Sequence, residues 1–299
     1  VIFSSSIIFV SSYFAQSAWL EQFRPELVTR NSTEWPSIFH FWILEKISII
    51  ILPAAAITYL YFPQYVHWLR QSNPTQRSIA LTTLLIAIQL ALAIAYWATK
   101  DMAGTGLDSI KSVFWLGDEL NMPTCFAAVQ LWLASWLCFE CHRIRKSSTW
   151  LISAVICFYL GLDELLSIHE MIGSQAREAL LFGESEKTIK IGFVNAYRWQ
   201  LIFFPIAALA STWFFIAFRR TVTLRQLILL STAGGIFLAG GLGMEFIEAT
   251  QISKNENWLS TKSGQINLLI EEKLESLGVS ISVFVFAEHR WNLLEKRTV

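Results

Sequence analysis

This sequence contains few charged residues and few cysteines, and neither positive nor negative charge is in excess. Only 15% of the 299 residues are charged, whereas soluble domains carry about 25%. Basic and acidic residues number 23 each, so no basic excess is present to neutralise phosphates, and a nucleic-acid partner is not expected. Four cysteines in a chain of this length do not form a disulfide framework. Glycine-rich phosphate loops, internal repeats and low-complexity tracts are also absent from the sequence.

Long apolar runs take the place of the missing charges. Hydrophobic residues make up 54% of the chain, which excludes a disordered protein. A helix that crosses a bilayer needs about 20 apolar residues, and the sequence offers about seven or eight such segments. They are 41–62, 78–97, 121–141, 150–168, 199–218, 226–247 and 266–289, with 1–20 as an eighth. The last of these is serine-rich and reads as a helix or a signal-peptide remnant; we expect a retained helix.

These segments predict an all-α fold, a polytopic transmembrane helix bundle. We expect one transmembrane domain over 1–299, with an apolar segment and outer loop at 1–36 and the helical bundle at 37–299. The longest loop, 169–198, is expected to hold a short surface helix.

Basic residues predict the orientation of the bundle. Loops 63–77, 142–149, 219–225 and 290–299 hold 11 of the 23 basic residues and little acid. Because Lys and Arg accumulate in cytoplasmic loops, these loops and the C-terminus are predicted to be cytoplasmic.

Acidic side chains gather at the outer ends of four predicted spans. Ionisable groups in a membrane are costly and usually face the protein interior, where they mark functional sites. The residues concerned are Asp118, Glu119, Asn121, Asp163, Glu164, His169, Glu170, Glu245, Glu248, Glu271, Glu272 and Glu275. Their common depth predicts one polar site.

Helical spacing groups several of these acids. At 3.6 residues per turn, Asp163, Ser167 and Glu170 share one stripe of a continuous helix. Glu271 and Glu275 are four residues apart and also share a face. Carboxylates brought together repel one another, so a proton or a cation must compensate their charge.

A divalent metal ion is the economical compensation. Oxygen-rich ligation with one imidazole suits Fe, Mn, Ca or Mg better than Zn. We assign Glu164 and His169 as candidate catalytic residues. The candidate metal ligands are Asp163, His169, Glu170, Glu245, Glu248, Glu271 and Glu275, with Glu119, Asn121 and Glu272 as supporting polar groups. The alternative is a set of interfacial acids solvated by water and headgroups.

A second motif, Cys138-Phe139-Glu140-Cys141-His142, matches the C-x-x-C-H pattern of covalent haem attachment. It lies at the predicted cytoplasmic end of a span, whereas haem is normally attached on the outer side. Haem is therefore a less favoured alternative, as is a soft metal on the same cysteines and His142. The plain alternative is two cysteines packed as small apolar residues.

Four segments carry a resemblance to a known family. They are GDELNMPT at 117–124, LGLDELLSIHEMIG at 160–173, GGLGMEFIEA at 240–249 and LLIEEKLESLG at 268–278. With their GDE-x-N, DE-x4-HE, ME-x2-E and EE-x2-E patterns, they resemble a family of uncharacterised bacterial multi-pass membrane proteins over residues 112–290. The resemblance implies that the acids act as a unit in a bacterial inner membrane. It names no reaction, and the cysteine–histidine stretch is not part of it.

These observations favour a metal-binding integral membrane protein, and an enzyme acting on a lipid-like substrate is the sharpest form of that hypothesis. A cation- or proton-coupled transporter would use the acids transiently. A structural subunit of a membrane complex or a homo-oligomer would pair them with a partner, and a haem-binding membrane protein is the fourth alternative. Beyond the lipid bilayer, no partner is identified by the sequence.

Overall fold

The computed structural model describes residues 71–100, 113–116, 121–169, 172, 188–191 and 194–298. The candidate spans 1–20 and 41–62 lie outside these residues, and so do the predicted site residues Glu119 and Glu170. Ser72–Val299 form one compact unit, and every feature below belongs to it. The single domain over 1–299 stays a prediction.

Helices dominate the described residues, as the apolar segments predict. They are α1 Pro74–Thr99, α2 Met122–Arg145, α3 Ser148–Leu166, α4 Arg198–Phe218, α5 Leu224–Leu238, a π-helical turn Ala239–Met244, α6 Glu245–Ile252, a 3-10 turn Trp258–Ser260 and α7 Lys262–Thr298. Six predicted spans are thus confirmed as helical. Four stretches are long and apolar enough to cross a membrane: Pro74–Thr99, Met122–Arg145, Ser148–Leu166 and Leu224–Ile252.

The described residues confirm the all-α prediction, and one short hairpin accompanies the helices. Strands β1 Thr188–Ile191 and β2 Val194–Tyr197 pair antiparallel, with Thr188 opposite Tyr197. The described end of loop 169–198 is therefore a hairpin, and most of the loop in which we expect a short surface helix lies outside the described residues. β-Branched and aromatic residues such as Thr188, Val194 and Tyr197 favour strands, and a segment this short shows no helical period.

Side-chain caps fix where the long helices begin. Asn73 caps α1, accepting a hydrogen bond from the Gln76 amide at 2.9 Å while the Gln76 side chain accepts one from the Asn73 amide at 3.1 Å. Thr223 forms the same reciprocal pair with Gln226 at the start of α5. Such capping boxes satisfy amides that have no partner within the helix. Helices α1 and α5 therefore each begin a few residues before the apolar run in the sequence.

Helix α7 is the centre of the unit. It packs against α1, α2, α5 and the π-helical turn, while α2 packs along α3. Near the C-terminal end of α7, Trp150 is buried, and its ring centroid lies 5.0 Å from that of Phe218, 5.7 Å from that of Phe286 and 4.8 Å from that of His289. Burial of large aromatic side chains contributes strongly to packing. The aromatic cluster therefore joins α3, α4 and α7 at one end and leaves the acidic residues at the other.

A π-helical turn interrupts the predicted span 226–247. The segment Ala239–Met244 separates α5 from α6, so Glu245 and Glu248 lie in the first turn of a new helical segment. A π-helical turn changes the angular position of everything that follows it, and such turns are frequent at functional sites. It turns Glu245 and Glu248 relative to the face that an uninterrupted α-helix would give them.

Candidate functional site

Asp163 and His169 form a hydrogen-bonded pair at the end of α3. The main-chain amide of His169 donates to Asp163 Oδ1 at 2.8 Å, and His169 Nδ1 lies 2.9 Å from Asp163 Oδ2. The pair forms because α3 ends at Leu166 and Ser167 takes a left-handed conformation with φ 45°. This reversal folds the chain back onto the last helical turn.

The reversal corrects the predicted stripe of Asp163, Ser167 and Glu170. A continuous α-helix does not run through Ser167, and Glu170 lies outside the described residues. Both oxygens of Asp163 accept hydrogen bonds from His169. Asp163, predicted as a metal ligand, therefore orients the imidazole in this structure, a role that carboxylates commonly play behind histidines.

Glu271 is the electrostatic centre of the acidic cluster. Its carboxylate interacts with the charges of Glu245 and Glu248 on α6, Glu272 on α7 and Glu164 on α3. Its Oε2 atom is buried and has no hydrogen-bond partner among the described residues. Acids of three helices thus act on one another's charge, and their convergence in one polar site stays a prediction. An unpaired buried carboxylate oxygen beside like charges is costly unless something positive approaches it.

Glu275 lies one turn further along α7 than Glu271. Its carboxylate interacts with those of Glu164, Glu272, Glu271 and Asp163. Glu272 also interacts with the ammonium group of Lys273, which partly offsets its charge. The cluster therefore has two halves, one at α6 and one at the end of α3, which Glu271 connects.

Two glycines let Glu275 approach the π-helical turn. A Cβ atom at Gly240 would lie 2.8 Å from Glu275 Cγ and 2.9 Å from the main-chain oxygen of Glu271. A Cβ atom at Gly241 would lie 2.5 Å from Glu275 Oε1. The glycine-rich stretch thus allows the close approach of α7 that small residues permit in membranes.

Two buried side-chain amides contact the π-helical turn, and no sequence motif indicates them. Gln200 Nε2 donates to Glu245 Oε2 at 3.2 Å and lies 3.5 Å from the Leu242 oxygen. Asn267 Nδ2 lies 3.5 Å from the Met244 oxygen. Gln200 and Asn267 are only 1% and 6% exposed. Neither residue belongs to an acidic motif, and their contacts with the π-helical turn are visible only in the structure.

Asn121 has a structural place at the start of α2. Its side chain accepts a hydrogen bond from the Thr124 amide at 2.8 Å and donates to the Trp115 oxygen at 2.9 Å. It is fully buried. Predicted as a supporting polar group of the site, it acts as a helix cap.

The side chains do not form a ready metal centre. Within the part of the chain that the structure describes, no group of three or more His, Cys, Asp or Glu residues is arranged to hold a metal ion. The carboxylates of several predicted ligands interact electrostatically, but the ligands do not converge on one point. A cation would have to draw them together or take further oxygen ligands.

The cysteine–histidine motif lies in the packed core. Cys138 and Cys141 are fully buried, and Cys141 Sγ lies 4.0 Å from the Phe286 oxygen on α7. His142 Nδ1 lies 2.9 Å from the Ser147 oxygen in the turn that follows. Side chains enclosed by helix packing leave no space for a porphyrin, which argues against haem and for two apolar cysteines.

A polar network lies beneath the acids. Gln89 Nε2 on α1 lies within hydrogen-bond distance of Gln130 Oε1 at 3.1 Å, the Ser276 oxygen at 2.9 Å and Ser280 Oγ at 3.0 Å. Gln130 Nε2 donates to Ser280 Oγ at 2.9 Å. All four residues are buried. The network ties α1, α2 and α7 together within the bundle.

Comparisons with known proteins give one match. The profile described as a domain of unknown function (DUF8692) matches residues 78–289, which is more than half of the chain. No curated protein and no solved structure matches the chain. The matched range includes the acidic cluster, the π-helical turn and the buried polar network.

Proposed function

The chain belongs to the DUF8692 family, a domain of unknown function, and we propose that it is an integral membrane protein whose acidic cluster binds a divalent cation. The observation that carries the proposal is Glu271. Its Oε2 atom is buried without a hydrogen-bond partner in the described parts of the chain, and four neighbouring carboxylates act on its charge. A bound cation would relieve that repulsion and supply the missing partner.

The chemistry of the available donors fits such an ion. Carboxylate oxygens of Glu245, Glu248 and Glu271, with Glu275 one turn deeper, are ligands that hard divalent cations prefer. Because three ligands do not converge in this structure, binding is expected to pull α6 and α7 closer. Gly240 and Gly241 supply a close contact between these parts of the fold.

We assign His169 the role of a base. Its bond to Asp163 favours the tautomer with the proton on Nδ1, which makes Nε2 the basic nitrogen of the ring. Glu164 follows Asp163 directly and joins the same end of the cluster. The site lies in a bundle whose long helices are apolar enough to cross a membrane. A substrate that enters from the lipid phase, with a polar group to activate, is therefore the proposed class.

The topology that completes the proposal has about seven or eight spans, with the acids at the outer face and the C-terminus in the cytoplasm of a bacterial cell. Glu288 and the basic residues near it would then lie at the cytoplasmic end.

A transporter is less favoured because the polar residues stop partway along α7. Below Ser280, the buried residues Val283, Val285, Phe286 and Ala287 separate the polar network from Glu288. An ion that passed through would cross an apolar stretch without ligands, which is costly.

The proposal is tested by metal analysis of the purified protein in lipid nanodiscs. Wild type should retain or rebind about one divalent ion per chain, seen by elemental analysis and by titration calorimetry with calcium, magnesium, manganese and iron(II). Glu271→Gln should lose most of the affinity, whereas Glu256→Gln, at an exposed acid in the adjoining turn, should not. A wild-type protein that binds none of these ions and does not respond to chelator would overturn the proposal.

A further inference from the structure

Basic side chains outnumber acidic ones at the end of the bundle where α2, α4 and α7 finish. The basic residues described there are Arg143, Arg145, Lys146, Arg219, Arg220, Arg225, Arg290, Lys296 and Arg297. The acidic residues described there are Glu140, Glu288 and Glu295. Arg297 on α7 donates a hydrogen bond to the Ile144 main-chain oxygen on α2 at 2.8 Å, so these helix ends lie together. This end of the described bundle therefore carries a net positive charge.

The acidic residues pair with only some of these basic residues. Arg143 Nη1 and Arg290 Nη2 lie 2.8 Å and 3.5 Å from the Glu140 carboxylate, and Arg225 Nη1 lies 2.9 Å from Glu288 Oε1. Beside the α2–α3 and α4–α5 turns, exposed basic side chains form no ion pair with any residue that the structure describes. We call them the basic patch: Arg145, Lys146, Arg219 and Arg220. Exposed cations without a neighbouring anion create a potential that attracts anions.

The two turns of the basic patch lie beside each other. The ring of Trp150, in the first turn of α3, has its centroid 5.0 Å from that of Phe218, the last residue of α4. Arg219 follows Phe218 directly in the chain. Arg145 interacts electrostatically with His289, whose ring stacks on Trp150 at 4.8 Å. The basic side chains of both turns therefore surround one aromatic cluster and form one surface.

Exposed apolar side chains begin directly beside the basic patch. Leu224 and Ile228, at the start of α5, are exposed and four residues apart, so they share a helix face. Phe215 and Ile216, in the last turn of α4, are exposed as well. The stretch Leu224–Ile252 is long and apolar enough to cross a membrane. A positive surface thus passes directly into an apolar one along the helices that follow and precede the turn.

We propose that the basic patch and the exposed apolar faces of α4 and α5 bind an anionic phospholipid. Its phosphate group lies against the basic patch, because guanidinium groups donate pairs of hydrogen bonds to phosphate oxygens. Its acyl chains lie along the exposed side chains that begin at Phe215 and Leu224. The proposal goes beyond the proposed function, since it requires helices in a membrane but no cation at the acidic cluster.

Charge complementarity and the adjoining apolar surface identify the class of ligand. Clusters of Lys and Arg at the cytoplasmic ends of membrane helices bind anionic headgroups, and both turns belong to the loops that the sequence predicts to be cytoplasmic. A zwitterionic headgroup has no net charge, so the basic patch gains less from it. A soluble anion would meet the cations but would leave the apolar faces of α4 and α5 without a ligand. An anionic lipid supplies both parts.

Native mass spectrometry of the full-length protein, released from detergent with added phosphatidylglycerol or phosphatidylcholine, tests the proposal. Wild type should bind phosphatidylglycerol at least about fivefold more tightly, and Arg219→Gln/Arg220→Gln should weaken that binding about tenfold or more. Arg219→Lys/Arg220→Lys keeps the charge and should retain most of the binding. The matched control is Lys254→Gln/Lys262→Gln, which removes the same charge from exposed positions towards the other end of α7. This control should bind phosphatidylglycerol like wild type.

The proposal fails if wild type binds the two lipids equally, or if folded Arg219→Gln/Arg220→Gln keeps the preference of wild type. If that variant does not fold, Arg145→Gln/Lys146→Gln decides in the same way, because it leaves the α4–α5 turn unchanged. Glycerol 3-phosphate that displaced the lipid at equal concentration would show a site for soluble anions and would also overturn the proposal. Glu271→Gln should bind phosphatidylglycerol like wild type, which separates this result from the fate of the proposed cation site.

Discussion

Asp163 holds His169 at two points, through the main-chain amide at 2.8 Å and through Nδ1 at 2.9 Å. The two bonds close a loop of seven residues, from Asp163 to His169, and Ser167 makes the reversal possible by taking a positive φ. The pair is partly buried, with side-chain exposures of 16% for Asp163 and 24% for His169. Asp163 thus determines both the end of α3 and the direction of the imidazole.

Replacement of Asp163 should destabilise this end of the bundle. Asp163→Ala leaves two partly buried donors without acceptors, which costs about 1–3 kcal/mol. Asp163→Asn retains one acceptor oxygen and should cost about half as much. The free energy of unfolding in nanodiscs, measured for both variants, checks the prediction. Equal stability of Asp163→Ala and wild type would show that the pair is not maintained in the membrane.

The contact of α7 with the π-helical turn predicts that alanine substitutions at Gly240 and Gly243 have opposite effects on stability. At Gly240 an added methyl group would meet the Glu271 main-chain oxygen at 2.9 Å, which cannot move aside easily. Gly240→Ala should therefore destabilise the protein by about 1–3 kcal/mol.

Gly243 is the matched control, because a Cβ atom there meets nothing within 4 Å in the structure. Gly243→Ala should be neutral or stabilise the protein by about 0.4–1 kcal/mol, since alanine restricts the unfolded chain. Thermal unfolding of the two variants side by side checks both signs. The same loss of stability in both would mean that the π-helical turn needs glycine for its backbone and not for its contact with α7.

Hydropathy predicted the helices well because burial in lipid requires long apolar runs. Segment 78–97 lies within α1, Pro74–Thr99, and the extra turn comes from the Asn73 cap. Segment 266–289 lies within α7, which extends to Lys262–Thr298 because charged residues at its ends are compatible with helix and not with a membrane interior. Apolar runs therefore locate a span but not the ends of its helix.

The candidate site was predictable only in part. The shared depth of Glu245, Glu271 and Glu275 follows from sequence position, and Glu271 interacts electrostatically with each of the other two. The bond between Asp163 and His169 depends on one residue with positive φ, which helical periodicity cannot reveal. The contacts of Gln200 and Asn267 with the π-helical turn join segments far apart in the sequence, and no local pattern reveals them.

The buried hydrogen bond between Gln89 and Gln130 predicts that loss of either side chain destabilises the protein. Gln89→Leu removes the donor that lies 3.1 Å from Gln130 Oε1. Hydrogen bonds between helices in membranes contribute about 0.6 kcal/mol on average and up to about 1.7 kcal/mol. Because the buried Gln130 would lose its donor, we expect Gln89→Leu to cost about 1–2 kcal/mol of unfolding free energy.

The double variant Gln89→Leu/Gln130→Leu separates pairing from packing. It should cost less than the sum of the two single changes, because it removes the partner that each single change leaves behind. Thr83→Leu, an exposed position on the same helix, should be close to neutral. Additive losses would contradict the network and would assign the effect to packing alone.

If the protein binds a cation, calcium should raise the unfolding temperature of wild type but not that of Glu271→Gln. At a free calcium concentration one hundred times the dissociation constant, a ligand that binds only the folded state adds about 2.7 kcal/mol to the free energy of unfolding. Wild type should therefore unfold at a higher temperature in calcium than in chelator. Glu271→Gln should lose this dependence, because its carboxylate lies at the centre of the cluster.

In chelator, Glu271→Gln should be more stable than wild type, which reverses their order of stability in calcium. Without a cation, an ionised Glu271 is repelled by Glu245, Glu248, Glu272 and Glu164, because like charges destabilise one another. Glu271→Gln removes this repulsion and keeps the shape of the side chain, so its metal-free form should be more stable than metal-free wild type. Glu256→Gln, which is exposed, should change neither condition. A metal-free Glu271→Gln protein that is less stable than wild type would show that a proton already neutralises the cluster, since only a protonated Glu271 has no repulsion to lose.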